Sequence, residues 1–222
     1  TQAHVNPKPI DDVFSKEVYD TYLKRIDSGK RFLIQEDIDK LDLQKLELDD
    51  QANRRTLEFF DESYALLVNG VARAEVVFND IIDTHNFDFD AQEMLELDSD
   101  KKAFAADEEE LRNYWRKYLK YDIVQKFTRK KNIQIEGLEK DKQYQRDLLE
   151  GKADPEDEEK RKPTEEKTDE AMLKEAKEET KENFTDLFKR LNKLRRSDRF
   201  ETYLSAITNY FDPHTDYFNP KA

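Results

Sequence analysis

The sequence predicts an all-α fold. Only 4 glycines and 6 prolines punctuate 222 residues, while 14 Phe and 10 Tyr supply side-chain bulk. That balance favours long helices over a sheet with glycine-bearing loops. Apolar residues also recur at three- and four-residue steps through most of the chain, the spacing of one helix face. Charged residues make up 41% and hydrophobic residues 36%, enough apolar material for one main core and a thin margin for a second.

Pro7 and Pro9 close a short leader, and Asp11 or Asp12 is placed to cap a first helix carrying Phe14, Val18, Tyr19, Tyr22, Leu23 and Ile26. Gly29 suits its C-terminal cap. Phe32, Leu33 and Ile34 form an apolar knot expected in the core, and a second helical pattern runs through Ile38 and Leu41 to Leu46 and Leu48. The longest signal places Leu57, Phe60, Tyr64, Leu67, Val68, Val71, Phe78, Ile81 and Ile82 on one stripe, with Gly70 as a candidate kink. After His85, the alternation of Phe87 and Phe89 with Asp88 and Asp90 predicts extended chain. Asp107 caps an aromatic helix through Leu111, Tyr114, Trp115, Tyr118, Leu119, Val124 and Phe127. From Asn132 to Lys162 apolar residues thin out, predicting an exposed, partly mobile charged insertion. Pro163 followed by Thr164, Glu165 and Glu166 suggests a helix start leading to Met172, Leu173, Ala176, Phe184, Leu187, Phe188, Leu191 and Leu194, with core contact expected from Phe184. Ser197 or Asp198 caps a last helix through Phe200, Tyr203, Leu204, Ile207 and Tyr210, which must stop before Pro213.

With no cysteine, disulfides, thiolate metal sites and a cysteine nucleophile are excluded. No apolar run approaches the roughly 20 residues needed to cross a bilayer, so no transmembrane segment is expected in this chain. A formal net charge of -13 argues against nucleic-acid binding, which requires phosphates to be neutralised. The charge is unevenly distributed: Glu36 to Glu110 holds 23 acidic and 7 basic residues, Arg112 to Lys131 holds 8 basic and 1 acidic. Arg112, Arg116, Lys117, Lys120 and Lys126 therefore form a candidate interaction face for an acidic partner or for the acidic half of the chain itself.

No catalytic constellation is legible. Ser15, Ser28, Ser63, Ser99, Ser197 and Ser205 occupy contexts that suit caps or solvated helix surfaces. Thr1 reads as a processing boundary rather than an N-terminal nucleophile. His4, His85 and His214 are too scattered for a metal motif, and a proline-initiated turn explains Asp212 to Asp216 better than metal ligation does. Metal and cofactor sites are both expected to be absent. The aromatic face around Trp115 is expected in the core, with its cations outside.

The segment Phe211-Asp-Pro-His-Thr-Asp-Tyr217-Phe-Asn-Pro220 resembles the one that precedes the PDZ domain in tail-specific proteases, also called C-terminal processing peptidases. Phe14-Ser-Lys-Glu-Val-Tyr-Asp-Thr-Tyr-Leu23, Arg25-Ile-Asp, Phe32-Leu33, Glu36-Asp37 and Asn113-Tyr-Trp115 resemble the helical N-terminal region of the larger Prc-type members. The resemblance implies a helical domain of a bacterial periplasmic serine protease, with membrane association of the full protein left open. It implies PDZ and Ser/Lys catalytic domains downstream as partners, together with protein substrates or a lipoprotein adaptor. Residues 1–222 are then expected to be one noncatalytic accessory domain, with Asp212, Pro213, His214, Thr215, Tyr217 and Pro220 as a structural motif. A free-standing helical interaction module using the basic face is the alternative.

Overall fold

Asp11 turns the leader into the first helix. Its carboxylate accepts from the backbone N–H groups of Val13 (3.0 Å) and Phe14 (3.2 Å), donors that a helix start leaves without partners. A computed structural model describes residues 8–152, 162–215 and 217. Among the described residues are seven helices, α1 (Asp12–Ile26), α2 (Gln35–Asp42), α3 (Leu48–Arg54), α4 (Glu58–Thr84), α5 (Glu108–Leu149), α6 (Asp169–Lys193) and α7 (Arg196–Phe211). They contain no β-strand, and Ile34 and Ala105 form an isolated parallel bridge. The fold is all-α.

The residues gather into two compact units. The first takes the described parts of Thr1–His85, Glu93–Lys117 and Asp186–Ala222; the second takes Asn86–Gln92 and those of Tyr118–Thr185. In the first unit, α1 packs on α3 and α7, and α4 on α2 and α7. Aromatic rings fill the spaces. Tyr22 meets Phe59 and Tyr203 at centroid distances of 5.7 and 5.3 Å, and Phe60 meets Phe200 at 5.0 Å. A second cluster centres on Phe188, 5.5 Å from Phe78 and 5.8 Å from Trp115. These distances suit the offset and edge-on arrangements that ring quadrupoles prefer. Phe32, Leu33 and Ile34 are buried as expected.

Gly70 does not break α4, which is continuous through it. The glycine answers to a close approach instead. A Cβ at this position would lie 2.7 Å from the carbonyl oxygen of Phe32, inside any tolerable contact. Val68, which the periodicity places on the buried stripe, is 48% exposed. Gly29 is likewise not the cap of α1. The helix ends at Ile26, Asp27 is the C-cap, and the left-handed residue of the turn is Lys30 at φ 47°.

In the second unit, Leu119, Ile123, Met172, Ala176, Thr180 and Phe184 are buried, so the charge-rich start of α6 enters the core well before Phe184. Met172, Ala176, Thr180 and Phe184 recur at four-residue steps and form a narrow seam between charged flanks. Asp122 accepts from Thr180 Oγ1 (2.8 Å), and Lys126 Nζ donates to the same hydroxyl (3.1 Å). Lys130 pairs with Glu179 at 3.2 Å and Lys131 with Asp169 at 2.6 Å.

The start of α6 also differs from expectation. Thr168 accepts from Ala171 N (3.2 Å), so the helix begins at Asp169 rather than after Pro163. The intervening backbone is held by α5 side chains, Thr164 N donating to Asp141 (2.7 Å) and Lys167 N to Gln134 (2.8 Å). Asn132 to Leu149, within the sequence-defined insertion, continue α5 as helix. Residues 153–161 of that insertion lie outside the described residues.

Replacing Gly70 with Ala tests the close approach. Helix propensity alone would favour alanine by about 1 kcal/mol. The contact with the Phe32 carbonyl reverses the sign, and Gly70→Ala should lower stability by roughly 1–3 kcal/mol in urea unfolding.

Candidate functional site

The motif at the end of α7 is a turn tied back onto its own helix. Pro213 disfavours helical geometry in the residue before it, and Asp212 is extended at φ -143°, ψ 114°. The Asp212 carboxylate then organises the turn, accepting from His214 N (3.0 Å) and Thr215 Oγ1 (2.8 Å). Thr215 N donates to the Asp212 carbonyl at 3.0 Å. The Thr215 carbonyl is gripped by two donors from α7, Thr208 Oγ1 (2.8 Å) and Asn209 Nδ2 (2.6 Å). Tyr217 N donates to Ser205 Oγ at 3.1 Å.

The helix end that carries this turn is itself fixed by the start of the chain. Tyr210 packs edge-on against Phe14 at 5.1 Å, and its hydroxyl donates to the Pro9 carbonyl at 3.1 Å. Arg25 donates to Asn209 Oδ1. Asp212, Pro213, His214, Thr215 and Tyr217 thus come together as one turn, in which His214 takes part through its backbone while the residue is exposed. Pro220 and Asp216 lie outside the described residues. The cap of α7 is not a side chain of Ser197 or Asp198 at the first position. Arg195 is the N-cap, and Asp198 reaches back to accept from Arg195 N at 2.8 Å.

The five basic residues of α5 are engaged within the chain. Arg112 pairs with Asp80, and Arg116 Nη1 donates to Glu93 at 3.0 Å. Lys117 Nζ reaches the Met94 carbonyl (3.2 Å), Lys120 Nζ the Ala91 carbonyl (2.7 Å), and Lys126 pairs with Asp122. The first three belong to the first unit and the last two to the second. Three serines assigned to helix surfaces or caps are buried: Ser15, which donates to Asp49 at 2.7 Å, Ser63, which donates to the Phe60 carbonyl at 2.9 Å, and Ser205.

A second polar cluster escaped the sequence pattern. The buried Asp27 carboxylate accepts from Arg31 N (2.8 Å), Phe32 N (3.0 Å) and Leu33 N (3.0 Å). Lys102 Nζ donates to the carbonyls of Gly29 (2.9 Å) and Lys30 (2.8 Å), and Trp115 Nε1 donates to that of Arg31 (3.0 Å). Arg73 Nη2 donates to the Phe32 carbonyl (3.0 Å) and pairs with Asp37 at 2.6 Å. Asp27, Asp37 and Trp115 all lie in the segments that carry the family resemblance, which was the available signal.

A family model described as the tail specific protease N-terminal domain matches residues 1–221. The chain belongs to this family. It is 24% identical over 223 residues to the tail-specific protease of Haemophilus influenzae (strain ATCC 51907 / DSM 11121 / KW20 / Rd), an alignment covering 100% of this chain and 26% of the relative. The chain thus spans about a quarter of the length of this relative. Within this N-terminal domain, Asp212 to Thr215 build the turn just described, and Asp27 and Trp115 build the polar cluster.

Burial pushes the Lys102 ammonium down from 10.5 to about 7, against the opposing pull of Asp27. The unfolded chain keeps that proton to about pH 10.4, so between these values the unfolded state binds more protons and stability rises with pH. Urea unfolding should show stability rising from pH 7 to pH 9, by roughly 1–2 kcal/mol once screening at this partly exposed side chain is allowed for. Lys102→Met, which lacks the titrating group, should lose that part of the slope.

Proposed function

We propose that this chain is the noncatalytic N-terminal accessory domain of a bacterial periplasmic C-terminal processing serine protease. A PDZ domain and a Ser/Lys catalytic pair belong to the longer polypeptide, and the helical domain supports that core and offers a surface for substrate or adaptor proteins. The observation that carries this proposal is the turn after α7. Its polar atoms are directed at the chain's own backbone, with Thr208 and Asn209 both donating to the Thr215 carbonyl. Such an arrangement orients the chain leaving the helix and supports a structural role for Asp212 and Thr215. The family match over residues 1–221 supports the same assignment.

Catalysis and support separate in a direct comparison. The 222-residue chain should not cleave a peptide with an apolar C-terminus, whereas the longer natural form should. In that longer form, the Thr208→Val and Asn209→Ala double variant removes two hydrogen bonds worth about 1 kcal/mol each, and cleavage should fall roughly threefold to tenfold. Cleavage by the 222-residue chain at the rate of the longer form would reject the proposal.

A further inference from the structure

Sulfur in this chain is confined to two thioethers, because there is no cysteine and only Met94 and Met172 are methionine. Their settings are opposite. Met172 is 2% exposed and lies on the same buried seam of α6 as Ala176, the gap-filling use that an unbranched, polarisable side chain ordinarily has in a core. Met94 is 90% exposed and fills nothing. The single tryptophan, Trp115, is fully buried, so Met94 is the softest side chain that the chain presents to solvent.

Its position is nonetheless defined. Residues 92–98 form neither helix nor strand, but the stretch is anchored to α5: Glu93 accepts from Arg116 Nη1 at 3.0 Å, and the Met94 carbonyl accepts from Lys117 Nζ at 3.2 Å. The backbone is held and the thioether is left in water. Oxidation of a thioether by a peroxide is a two-electron oxygen transfer. The sulfur lone pair attacks one peroxide oxygen, the O–O bond breaks as the S–O bond forms, and the departing hydroxide takes the proton to leave as water. At Met94 the new oxygen stays hydrated and needs no space in the core. At Met172 it would lose hydration within the buried seam, and buried polar groups without partners are strongly disfavoured.

We propose that Met94 is a reversible oxidation site, attacked by peroxides and other two-electron oxygen donors, whose sulfoxide leaves the fold intact. The modification makes an apolar surface residue polar and chiral, three residues from the exposed Leu97. Exposure also serves the return step. A thiol-dependent sulfoxide reductase removes the oxygen as water while two thiols are joined as a disulfide, and it must take the side chain into its own active site. Residues 92–98 offer that without the melting of a helix or strand.

Excess hydrogen peroxide followed by peptide mass spectrometry supplies the test, because trypsin places the two methionines in separate peptides, Ala74 to Lys101 and Thr168 to Lys174. In the folded chain, sulfoxide should form at Met94 about twentyfold faster than at Met172, and unfolding in urea should bring the two rates within about twofold of each other. Rates already within about twofold in the folded chain would overturn the proposal. The Met94-oxidised chain should keep its urea midpoint, and a lowered midpoint would show that the fold does not bear the sulfoxide. Met94→Leu should abolish the fast phase of oxidation and leave the Met172 rate unchanged; a fast phase that persists would sink the assignment to Met94. The two reductases specific for the sulfoxide epimers, supplied together with thiol, should restore the thioether in the folded chain, whereas restoration only after unfolding would overturn reversibility. The same order of rates is expected in the longer natural form, and Met94 oxidised there no faster than Met172 would reject the site for the whole protein.

Discussion

The first unit depends on how the backbone between α1 and α2 is satisfied. Asp27 to Ile34 forms no regular helix or strand, yet Phe32, Leu33 and Ile34 are buried, and buried peptide groups without partners are strongly disfavoured. Asp27 supplies the acceptors for Arg31, Phe32 and Leu33, and Asp37 supplies one for Ile34 at 3.1 Å. The carbonyls are met by Lys102, by Trp115 of α5 and by Arg73 of α4. One short turn thereby fixes the placement of side chains from distant parts of the sequence. The bare backbone at Gly70 follows from this arrangement, because α4 must come close enough for Arg73 to reach the same Phe32 carbonyl that a Cβ at position 70 would strike.

Charge plays two different parts in this molecule. The Arg73–Asp37 pair is largely buried, at 18% and 9% side-chain exposure, and each partner also bonds backbone. Removal of one member would leave the other desolvated, a loss of about 3–5 kcal/mol. Exposed pairs such as Arg112 with Asp80 contribute about 0–1 kcal/mol and serve mainly to keep the basic stretch of α5 turned towards acidic residues of the same chain. The imbalance between acidic Glu36–Glu110 and basic Arg112–Lys131 is thus met partly within the fold, through Asp80 and Glu93.

Helix identity was legible because apolar spacing reports directly on a buried face. Phe14 to Ile26 and Phe60 to Ile82 repeat at helical steps, and Asp11 and Asp107 cap as their side chains suggest; Glu110 N donates to Asp107 at 2.9 Å. The misplacements arise where a tertiary partner replaces a local signal. Gly29 has the residue type of a helix cap, but Asp27 gains more from the three N–H groups ahead of it. Pro163 has the residue type of a helix start, but Asp141 and Gln134 hold the following backbone until Thr168 can cap. Ser63 reads as a surface residue in sequence and is buried, since its hydroxyl finds the Phe60 carbonyl one turn back. The turn at Asp212 was legible as a proline stop. Its attachment to Thr208 and Asn209 was not, because those residues look like any polar helix surface.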